Sequence, residues 1–178
     1  MSDEHLPLVS VIFPAKNEGN NVRTTLESLR AAKTRYPYEI IVVDDGSSDN
    51  CCAFLQTEEQ NGRVKLITTP GIGAAAARNL GAEHAKGTYL IFCDAHLTFP
   101  NYWIDGLVDL IKSGRTDAVS PAIASMQEPH KVGYGQTLDQ RLGVVWTRHV
   151  NRPEPSAILP GGCLAMPKHV FMDIGGFD

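Results

Sequence analysis

The sequence predicts an α/β fold, in which a mostly parallel, Rossmann-like sheet carries helices on both faces. Short apolar runs alternate with amphipathic stretches and no linker separates them. Runs of about five apolar residues are typical of strands buried on both faces of a parallel sheet. Two of these runs, residues 39–43 and 89–93, lead directly into aspartates. Because the carboxyl ends of parallel strands share one edge, where ligands bind, we expect both acidic clusters at one site.

The predicted elements follow in a regular order up to about residue 120. Strands are expected at residues 9–13, 39–43, 64–68 and 89–93. The first helix should be capped by Asn20 or Asn21 and should bury Val22, Leu26 and Leu29. Helices are also expected at residues 48–60, 74–86 and 102–112, the last of which should bury Ile104, Leu107, Val108 and Ile111.

Small residues and prolines refine this prediction. Ala74, Ala77 and Gly81 should let the third helix lie close to the sheet. After about residue 120 prolines interrupt the pattern, and we expect a strand near residues 118–120, a mixed region at 132–150 and a short helix at 167–174. The turn-like residues 175–178 have no closing element after them, so the fold is expected to be truncated at its C-terminus.

Composition limits the classes of function. With 178 residues the chain is one domain by length, and a net charge of −4 gives no support for a nucleic-acid partner. No apolar run approaches the roughly 20 residues that span a bilayer. The acidic, polar first five residues do not resemble a secretory signal. The four cysteines include no CxxC pair, which indicates reduced thiols and a cytoplasmic location.

The cluster at residues 44–49 is the more specific of the two acidic motifs. A carboxylate at a strand end can accept a hydrogen bond from a nucleotide base or from ribose hydroxyls. Gly46 permits a tight turn, and Ser47 or Ser48 could cap the next helix. A plain turn followed by a helix cap is the alternative interpretation. The tandem aspartates Asp44 and Asp45 exceed what a cap needs.

The second cluster, Asp94-Ala95-His96, predicts a metal site. A hard cation that also binds phosphate oxygens needs one or two protein carboxylates. Imidazole suits Mn²⁺ better than Mg²⁺ as a ligand. A solvent-exposed His96 without a metal is the alternative, which its position at the end of a buried strand makes less favourable.

A glycine-rich segment offers a competing hypothesis. Residues 71–76 match G-x-G-x-x-A, the dinucleotide fingerprint, and Asp94 follows about 20 residues later. Residues 68–70 separate these glycines from the strand, two βα units precede them, and the tandem aspartates would be left without a role. The glycines are better explained as a helix start close to a nucleotide or to the sheet.

Several segments together resemble the family 2 glycosyltransferases. Residues 9–18 are similar to the opening V-S-V-I-x-P-x-x-N-E, and residues 41–49 are similar to the second signature of that family. Residues 73–81 resemble the helix G-x-x-x-A-R-N-x-G, and residues 87–94 the strand that leads to the metal-binding D-x-D. Residues 161–163 and 175–178 resemble the later G-G-x and G-G-F-D segments. The order is that of the family over nearly the whole chain.

The resemblance implies a GT-A fold and transfer of a sugar from a nucleotide diphosphate sugar, with UDP the expected nucleotide. It divides the single domain into a nucleotide-binding half at residues 1–120 and the start of an acceptor-binding half at 121–178. Asp45 would face the base and Asp44 would support its loop, while Gly73 and Arg78 would lie beside the nucleotide or brace that loop. The base and ribose pocket would be lined by Pro14, Ala15, Asn17 and Glu18.

At the metal position the chain departs from the family pattern. Asp94 and His96 occupy the two acidic positions, so that the motif is D-x-H, as in the polypeptide N-acetylgalactosaminyltransferases. The resemblance implies Mn²⁺ or Mg²⁺ as the cofactor, but it leaves open whether the sugar is transferred with inversion or retention. A nucleotide-sugar-binding module without its own base, and an NAD-type oxidoreductase, remain alternative functions.

The remaining roles have candidates only. Family 2 enzymes carry the catalytic base after G-G-F-D, so we expect it beyond Asp178; Glu154, Asp139 and Asp178 are read as surface charges. A third metal ligand could be His130, His149 or His169, although a surface histidine is the favoured interpretation of each. Sugar stacking could involve Trp103, Tyr134 or Trp146, for which ordinary packing is favoured. The acceptor is a glycan, lipid or protein, and peripheral membrane association is compatible with the sequence; neither the sugar nor the oligomeric state is specified.

Overall fold

The computed structural model describes residues 5–178, and a five-stranded sheet organises them. The helices lie at Asn21–Ala31 (α1), Leu55–Gln60 (α2), Ala74–His84 (α3), Trp103–Lys112 (α4) and Lys168–Asp173 (α5). The strands lie at Val9–Ala15 (β1), Tyr38–Asp44 (β2), Lys65–Thr68 (β3), Tyr89–Cys93 (β4), Ile123–Ala124 (β5), Val132–Gly133 (β6), Gln136–Leu138 (β7), Val144–Trp146 (β8) and Cys163–Pro167 (β9).

The order of strands in the sheet is β3-β2-β1-β4-β9. The first four are parallel, as predicted, and β9 pairs antiparallel with β4 at the edge. The chain builds outward from β1 to β3 and then returns to place β4 on the other side of β1. Ligands bind in open α/β sheets outside the carboxyl ends of strands at such a reversal. The crevice between β1 and β4 is therefore the expected place for a site.

Successive side chains of the central strands pack into two separate cores, one on each face of the sheet. Val11 and Phe13 of β1 pack with α1, α2 and α4 on one face. Ile12 packs with α3 and α5 on the opposite face. Both faces are thus covered, because successive side chains of a strand point to opposite sides of the sheet. The predicted α/β architecture, with helices on both faces, is confirmed.

Helix α1 begins where the sequence indicates, although its cap differs from the prediction. Val22, Leu26 and Leu29 are buried as expected. Asn20 occupies the cap position but its side chain makes no capping hydrogen bond, because its backbone is already near-helical (φ −86°, ψ −5°). The prediction that an asparagine side chain caps this helix is wrong.

The predicted helix at residues 48–60 is wrong in its first half. Helix α2 begins only at Leu55, and residues 51–54 form turns. Asp49 Oδ1 accepts a hydrogen bond from the Cys51 amide, which stabilises a local turn at the expense of a helical start. Ser47 and Ser48, predicted as caps, instead contact the loop that follows β1.

Helix α3 lies close to the sheet through two of the three predicted small residues. Ala77 and Gly81 are buried. A Cβ atom on Gly81 would lie 2.5 Å from Ile12 Cγ2, so only glycine permits this approach. Ala74 is exposed and does not contribute, because it stands in the first turn at the rim of the sheet.

The later elements follow the prediction less closely. Helix α4 buries Ile104, Leu107, Val108 and Ile111 as expected, and α5 forms within the predicted range. The strand expected near residues 118–120 is reduced to one bridge, between Val119 and Ala165. Residues 123–146 form two small antiparallel ribbons, β5–β6 and β7–β8.

The residues that the structure describes contain no helix with the length and hydrophobicity required to cross a bilayer. All four cysteines are buried free thiols. Cys93 and Cys163 lie opposite each other on β4 and β9, with their sulfur atoms 3.7 Å apart.

Candidate active site

A cavity of about 260 Å³ opens at the carboxyl ends of β1, β2 and β4. Both acidic motifs reach it, through Asp45 from β2 and Asp94 from β4. The expectation that two separate strand ends would meet at one rim is therefore confirmed. The cavity is lined by Pro14, Ala15, Lys16, Glu18, Asp45, Gly73, Ala74, Arg78, Asp94, Ala95 and His96.

The loop after β1, which carries Glu18, is joined by hydrogen bonds to the loop after β2. The Ser48 amide donates to Asn17 Oδ1 at 2.8 Å, and the Asn17 amide donates to Ser47 Oγ at 3.1 Å. Asp49 Oδ2 accepts from the Gly19 amide at 2.8 Å. Hydrogen bonds from the backbone amides of Gly19 and Cys51 hold the pKa of Asp49 below its usual range. These bonds fix the loops after β1 and β2 relative to each other.

Asp45 binds the segment of residues 71–73, which we call the glycine loop, through hydrogen bonds. Its Oδ1 accepts from Thr69 Oγ1 at 2.7 Å and from the Ile72 amide at 2.5 Å, while Oδ2 accepts from the Gly73 amide at 3.0 Å. Burial alone would raise the pKa of Asp45, but these bonds and nearby Lys16 outweigh it and the pKa is lowered. The carboxylate is therefore ionised and fully engaged with the loop that leads into α3.

Gly73 allows that loop to turn into α3. Its backbone adopts φ 92° and ψ 156°, a conformation open almost exclusively to glycine. No atom lies within 4 Å of the position that a Cβ would take. The glycine is thus required by backbone conformation and leaves the helix start open to the cavity.

Arg78 on α3 is paired with Asp94 across the cavity. Its Nη2 lies 2.7 Å from Asp94 Oδ1, and its side chain is only 16% exposed. The Asp94 amide is held by the Gly162 carbonyl at 3.0 Å. One carboxylate oxygen of Asp94 is therefore bound to the guanidinium, which leaves Oδ2 facing the cavity on the His96 side.

His96 stands between two carboxylates. Its Nδ1 lies 3.3 Å from Glu18 Oε2, and its Nε2 lies 4.0 Å from Asp94 Oδ2. A hydrogen bond from Nδ1–H to a carboxylate fixes the tautomer of a metal-binding histidine and leaves Nε2 free to bind. This arrangement matches the donor chemistry of an ion shared by Asp94 and His96.

Within the part of the chain that the structure describes, Asp94 and His96 are the two candidate ligands that face each other in this cavity. Over residues 5–178 no group of three or more histidine, cysteine or acidic side chains has the arrangement of a metal site. Magnesium and manganese sites that act on phosphates commonly use one or two protein ligands and complete their shell with water and substrate. The residues present therefore fit an ion that binds together with a diphosphate.

Eight of the ten predicted site residues line the cavity, and Asn17 and Asp44 do not. Asn17 turns its side chain toward Ser48, and Asp44 Oδ1 accepts from the Ser47 amide at 2.9 Å. Both shape loops of the site, and a direct contact with a nucleotide stays a prediction for them. The sequence analysis missed Lys16, whose Nζ lies 3.9 Å from Asp45 Oδ2, although its place between Pro14 and Asn17 was a signal.

The other candidates lie outside this cavity. Asp139 accepts from the Arg141 and Gly143 amides within its own turn, and Glu154 lies 3.5 Å from Arg152 Nε. The candidate third ligands His130, His149 and His169 are exposed. A larger cleft of about 1280 Å³ separates α4 from the loops around residues 115–122 and 147–160. It is lined by Trp103 and Tyr134 but by neither Asp45, Asp94 nor His96.

The glycine loop lacks the surroundings of a dinucleotide fingerprint. That fingerprint needs a compact βαβ unit around its glycines. Here β3 and β4 flank the loop and α3, but β2 and β1 separate them in the sheet. The amide of Gly73 is also bound to Asp45.

Comparison with known proteins gives a consistent family. The model of the family described as glycosyl transferase family 2 matches residues 10–174. Human polypeptide N-acetylgalactosaminyltransferase 15 is 30% identical over 98% of this chain. An uncharacterized glycosyltransferase of Escherichia coli K12, YibD, is 41% identical over 49% of it. The chain spans 31% of the length of the human relative and 25% of that of the bacterial one.

A solved structure supports the same fold. The mannosyltransferase PcManGT from Pyrobaculum calidifontis, in complex with GDP-Man and Mn²⁺, superposes with a TM-score of 0.69 at 19% identity. The match covers 98% of this chain and 48% of that protein, and it confirms the predicted GT-A fold. The family match and the fold agree, and this chain belongs to the family 2 glycosyltransferases.

Proposed function

We propose that this chain binds a nucleotide diphosphate sugar, with UDP as the nucleotide, together with a divalent metal ion, and transfers the sugar to an acceptor. The observation that carries the proposal is the meeting of Asp45, Arg78, Asp94 and His96 around one cavity at the strand reversal. UDP is the nucleotide that we expect from the resemblance of Asp94-Ala95-His96 to the D-x-H motif of the polypeptide N-acetylgalactosaminyltransferases. The structural relative was solved with GDP-Man, so GDP is the nucleotide to test against it.

In this proposal the loops after β1 and β2 form the nucleoside side of the pocket. Pro14, Ala15 and Glu18 line it on the β1 side. Asp45 is fully engaged with Thr69 and the loop amides, so its main role is to present the glycine loop. A base would then be read largely by backbone and by the shape of these fixed loops. Asn17 and Asp44 act by holding the loops in place.

The diphosphate side carries the positive charge. Lys16 from the loop after β1 and Arg78 from the second turn of α3 both line the cavity. Asp94 Oδ2 and His96 Nε2, which lie 4.0 Å apart, are the atoms that would hold the ion. A bound Mn²⁺ or Mg²⁺ would supply a Lewis acid that stabilises the charge of the leaving diphosphate.

The reaction forms one bond and breaks another at the anomeric carbon. An acceptor oxygen bonds to that carbon, the bond from the carbon to the phosphate oxygen breaks, and the bonding pair leaves with the nucleoside diphosphate. The acceptor hydroxyl also loses its proton to a base. Arg78 and Lys16 stabilise the negative charge that develops on the leaving group. Residues 1–120 supply these donor contacts in this scheme, and residues 121–178 begin the acceptor side.

Calorimetric titration of the protein with UDP and with GDP, each with and without Mn²⁺, tests the proposal. We expect binding that requires the metal, with UDP bound more tightly than GDP. Absence of binding under all four conditions contradicts the proposal. Tight, metal-independent binding of NADH would favour an oxidoreductase instead.

The variant His96→Ala tests the metal assignment. The variant should lose most of its Mn²⁺-dependent affinity for UDP while the fold is kept, because one of the two proposed protein ligands of the metal is removed. His84→Ala is the matched control, since His84 is an exposed histidine on α3 whose Nδ1 contacts only the Leu80 carbonyl. If both variants keep the same metal dependence, His96 is not a ligand.

One observation favours a second function, that of a nucleotide-sugar-binding module. All three carboxylates that line the cavity are already engaged: Glu18 with His96 and Asn21, Asp45 with loop amides, and Asp94 with Arg78. The described part of this cavity therefore offers no free carboxylate to serve as the base. Release of free nucleotide from a nucleotide sugar, in the presence of Mn²⁺ and candidate acceptors, separates the two functions.

A further inference from the structure

We propose that Asn79 is a positioning residue that holds the segment 174–178 against α3 and thereby orients Arg78 toward Asp94. This inference rests on the proposed function, because its consequence is measured at the nucleotide and metal site. We call the contact between Asn79 and the backbone of Phe177 the latch.

The latch consists of two hydrogen bonds between residues 98 positions apart. Asn79 Nδ2 donates to the Phe177 carbonyl at 2.8 Å, and the Phe177 amide donates to Asn79 Oδ1 at 2.9 Å. A side-chain amide that pairs with both polar groups of one residue fixes the position and the direction of that backbone. No ligand is needed for this contact, so the latch is a property of the folded chain.

Gly176 makes the close approach possible. Its φ is +86°, and a Cβ atom on it would lie 2.7 Å from Asn79 Oδ1. Any other residue would therefore be strained and would push the asparagine away. The amide of Gly176 is held in turn by the Phe171 carbonyl at 3.1 Å.

The latch places the ring of Phe177 beside Arg78. The ring packs against Phe92 and Phe171 at centroid distances of 5.0 and 5.2 Å. The guanidinium carbon of Arg78 lies 5.9 Å from the centroid of the same ring. Arg78 is thereby confined between an aromatic ring and the carboxylate of Asp94, to which it donates at 2.7 Å.

The consequence for the site follows from the two oxygens of Asp94. With Oδ1 bound to Arg78, Oδ2 is directed toward His96. If Phe177 is released, Arg78 gains freedom and Asp94 loses the partner that orients it. Loss of partners that orient metal ligands commonly costs tenfold or more in affinity. The latch therefore links the segment after α5 to the geometry of the metal and diphosphate site.

The variant Asn79→Ala tests the latch. We expect its affinity for UDP in saturating Mn²⁺ to fall roughly tenfold. The matched control is Asn101→Ala, because Asn101 Oδ1 accepts from the Lys33 amide at 2.9 Å and Asn101 does not line the cavity. Both variants lose a long-range bond from an asparagine to the backbone, but only the first should lose affinity. Equal affinity in the two variants overturns the proposal.

A double-mutant cycle with Gly176→Ala sharpens the test. Both substitutions disrupt the same contact, so the double variant should bind UDP no more weakly than the weaker single variant. The intermediate variant Asn79→Asp keeps the acceptor for the Phe177 amide and loses the donor. Its affinity should lie between those of the native protein and Asn79→Ala. Additive losses in the cycle contradict a single latch.

Two readouts need no nucleotide and keep the latch distinct from the proposed function. Asn79→Ala should accelerate hydrogen exchange at the Phe177 amide and should make the Arg78 Nε–H signal mobile by nuclear magnetic resonance. If the native protein fails to bind UDP with Mn²⁺ but these changes occur, the latch stands and the proposed function falls. If the Arg78 signal is unchanged, the coupling from Phe177 to Arg78 is wrong.

Discussion

Strands β2 and β8 both contain a short apolar run, but the two runs have opposite environments. Ile41, Val42 and Val43 of β2 are fully buried between two layers of helices. Val144, Val145 and Trp146 of β8 are 58%, 39% and 52% exposed in a two-stranded ribbon. An apolar run thus predicts a strand in both regions, but only the surrounding layers decide whether the strand stabilises a core.

The loops of the candidate site belong to the first region. The cavity lies on the strand ends of the parallel sheet, where loops are held by hydrogen bonds to one another and to buried groups. The ribbons at residues 123–146 carry exposed apolar side chains. The difference indicates that the candidate site is built on a buried frame, and we expect the exposed ribbons to contribute little to stability.

The largest effect should come from truncating the core of the first region. Leu26→Ala in α1 should lower the free energy of unfolding by about 2 to 5 kcal/mol, because it leaves a cavity in a fully buried position. Leu142→Ala, at 78% exposure in the β7–β8 turn, should change it by less than about 0.5 kcal/mol. Urea denaturation of both variants measures the contrast, and equal losses would remove the distinction between the regions.

Asp45→Asn should have the next largest effect and lower the free energy of unfolding by about 1 to 3 kcal/mol. An amide cannot accept hydrogen bonds from three donors as the carboxylate does. The pKa of Asp45 is lowered in the folded protein. Its contribution is therefore complete above the unfolded pKa of about 3.9 and is lost as the pH falls through the folded value. The difference in stability between native protein and variant should shrink below about pH 4 in denaturation curves taken across pH. A constant difference down to pH 2 would contradict this account.

Gly73→Ala should destabilise the glycine loop by about 1 to 3 kcal/mol, because a side chain strains the backbone at φ 92°. The effect should fall mainly on the affinity for the nucleotide, because the substitution displaces the loop that lines the cavity. Gly114→Ala is the control, as it also has a positive φ of 71° and open surroundings but lies outside the cavity. Calorimetry compares the nucleotide affinities of the two variants, and only Gly73→Ala should bind more weakly than the native protein.

The smallest effect is expected in the second region. Lys131→Ala removes an ion pair with Glu128 at 2.6 Å, but both side chains are about half exposed or more. Such pairs contribute about 0.5 kcal/mol or less, so thermal unfolding should be nearly unchanged. A loss above about 1 kcal/mol would show that the ribbons are more tightly coupled to the core than their exposure indicates.

Much of the site could be predicted, because its residues occupy fixed places along the strands. Asp45 and Asp94 end strands with clear apolar runs, and the parallel order then brings them together. Their actual contacts could not be predicted. Nothing in the local sequence indicates that Ser48 would bind Asn17, 31 residues away, and leave the second helix to begin at Leu55.

The sequence by itself determined the alternation of strands and helices, the two faces of each strand and the edge at which the acidic motifs meet. These follow from local periodicity and from the shared direction of parallel strands. Only the tertiary structure decided which polar groups form hydrogen bonds with each other. Asp45 could face a ligand or the glycine loop, and Asn79 could face solvent or Phe177, until the strand order placed their partners within hydrogen-bonding distance. Hydrogen bonds act over about 3 Å, so long-range pairing is settled by packing rather than by sequence proximity.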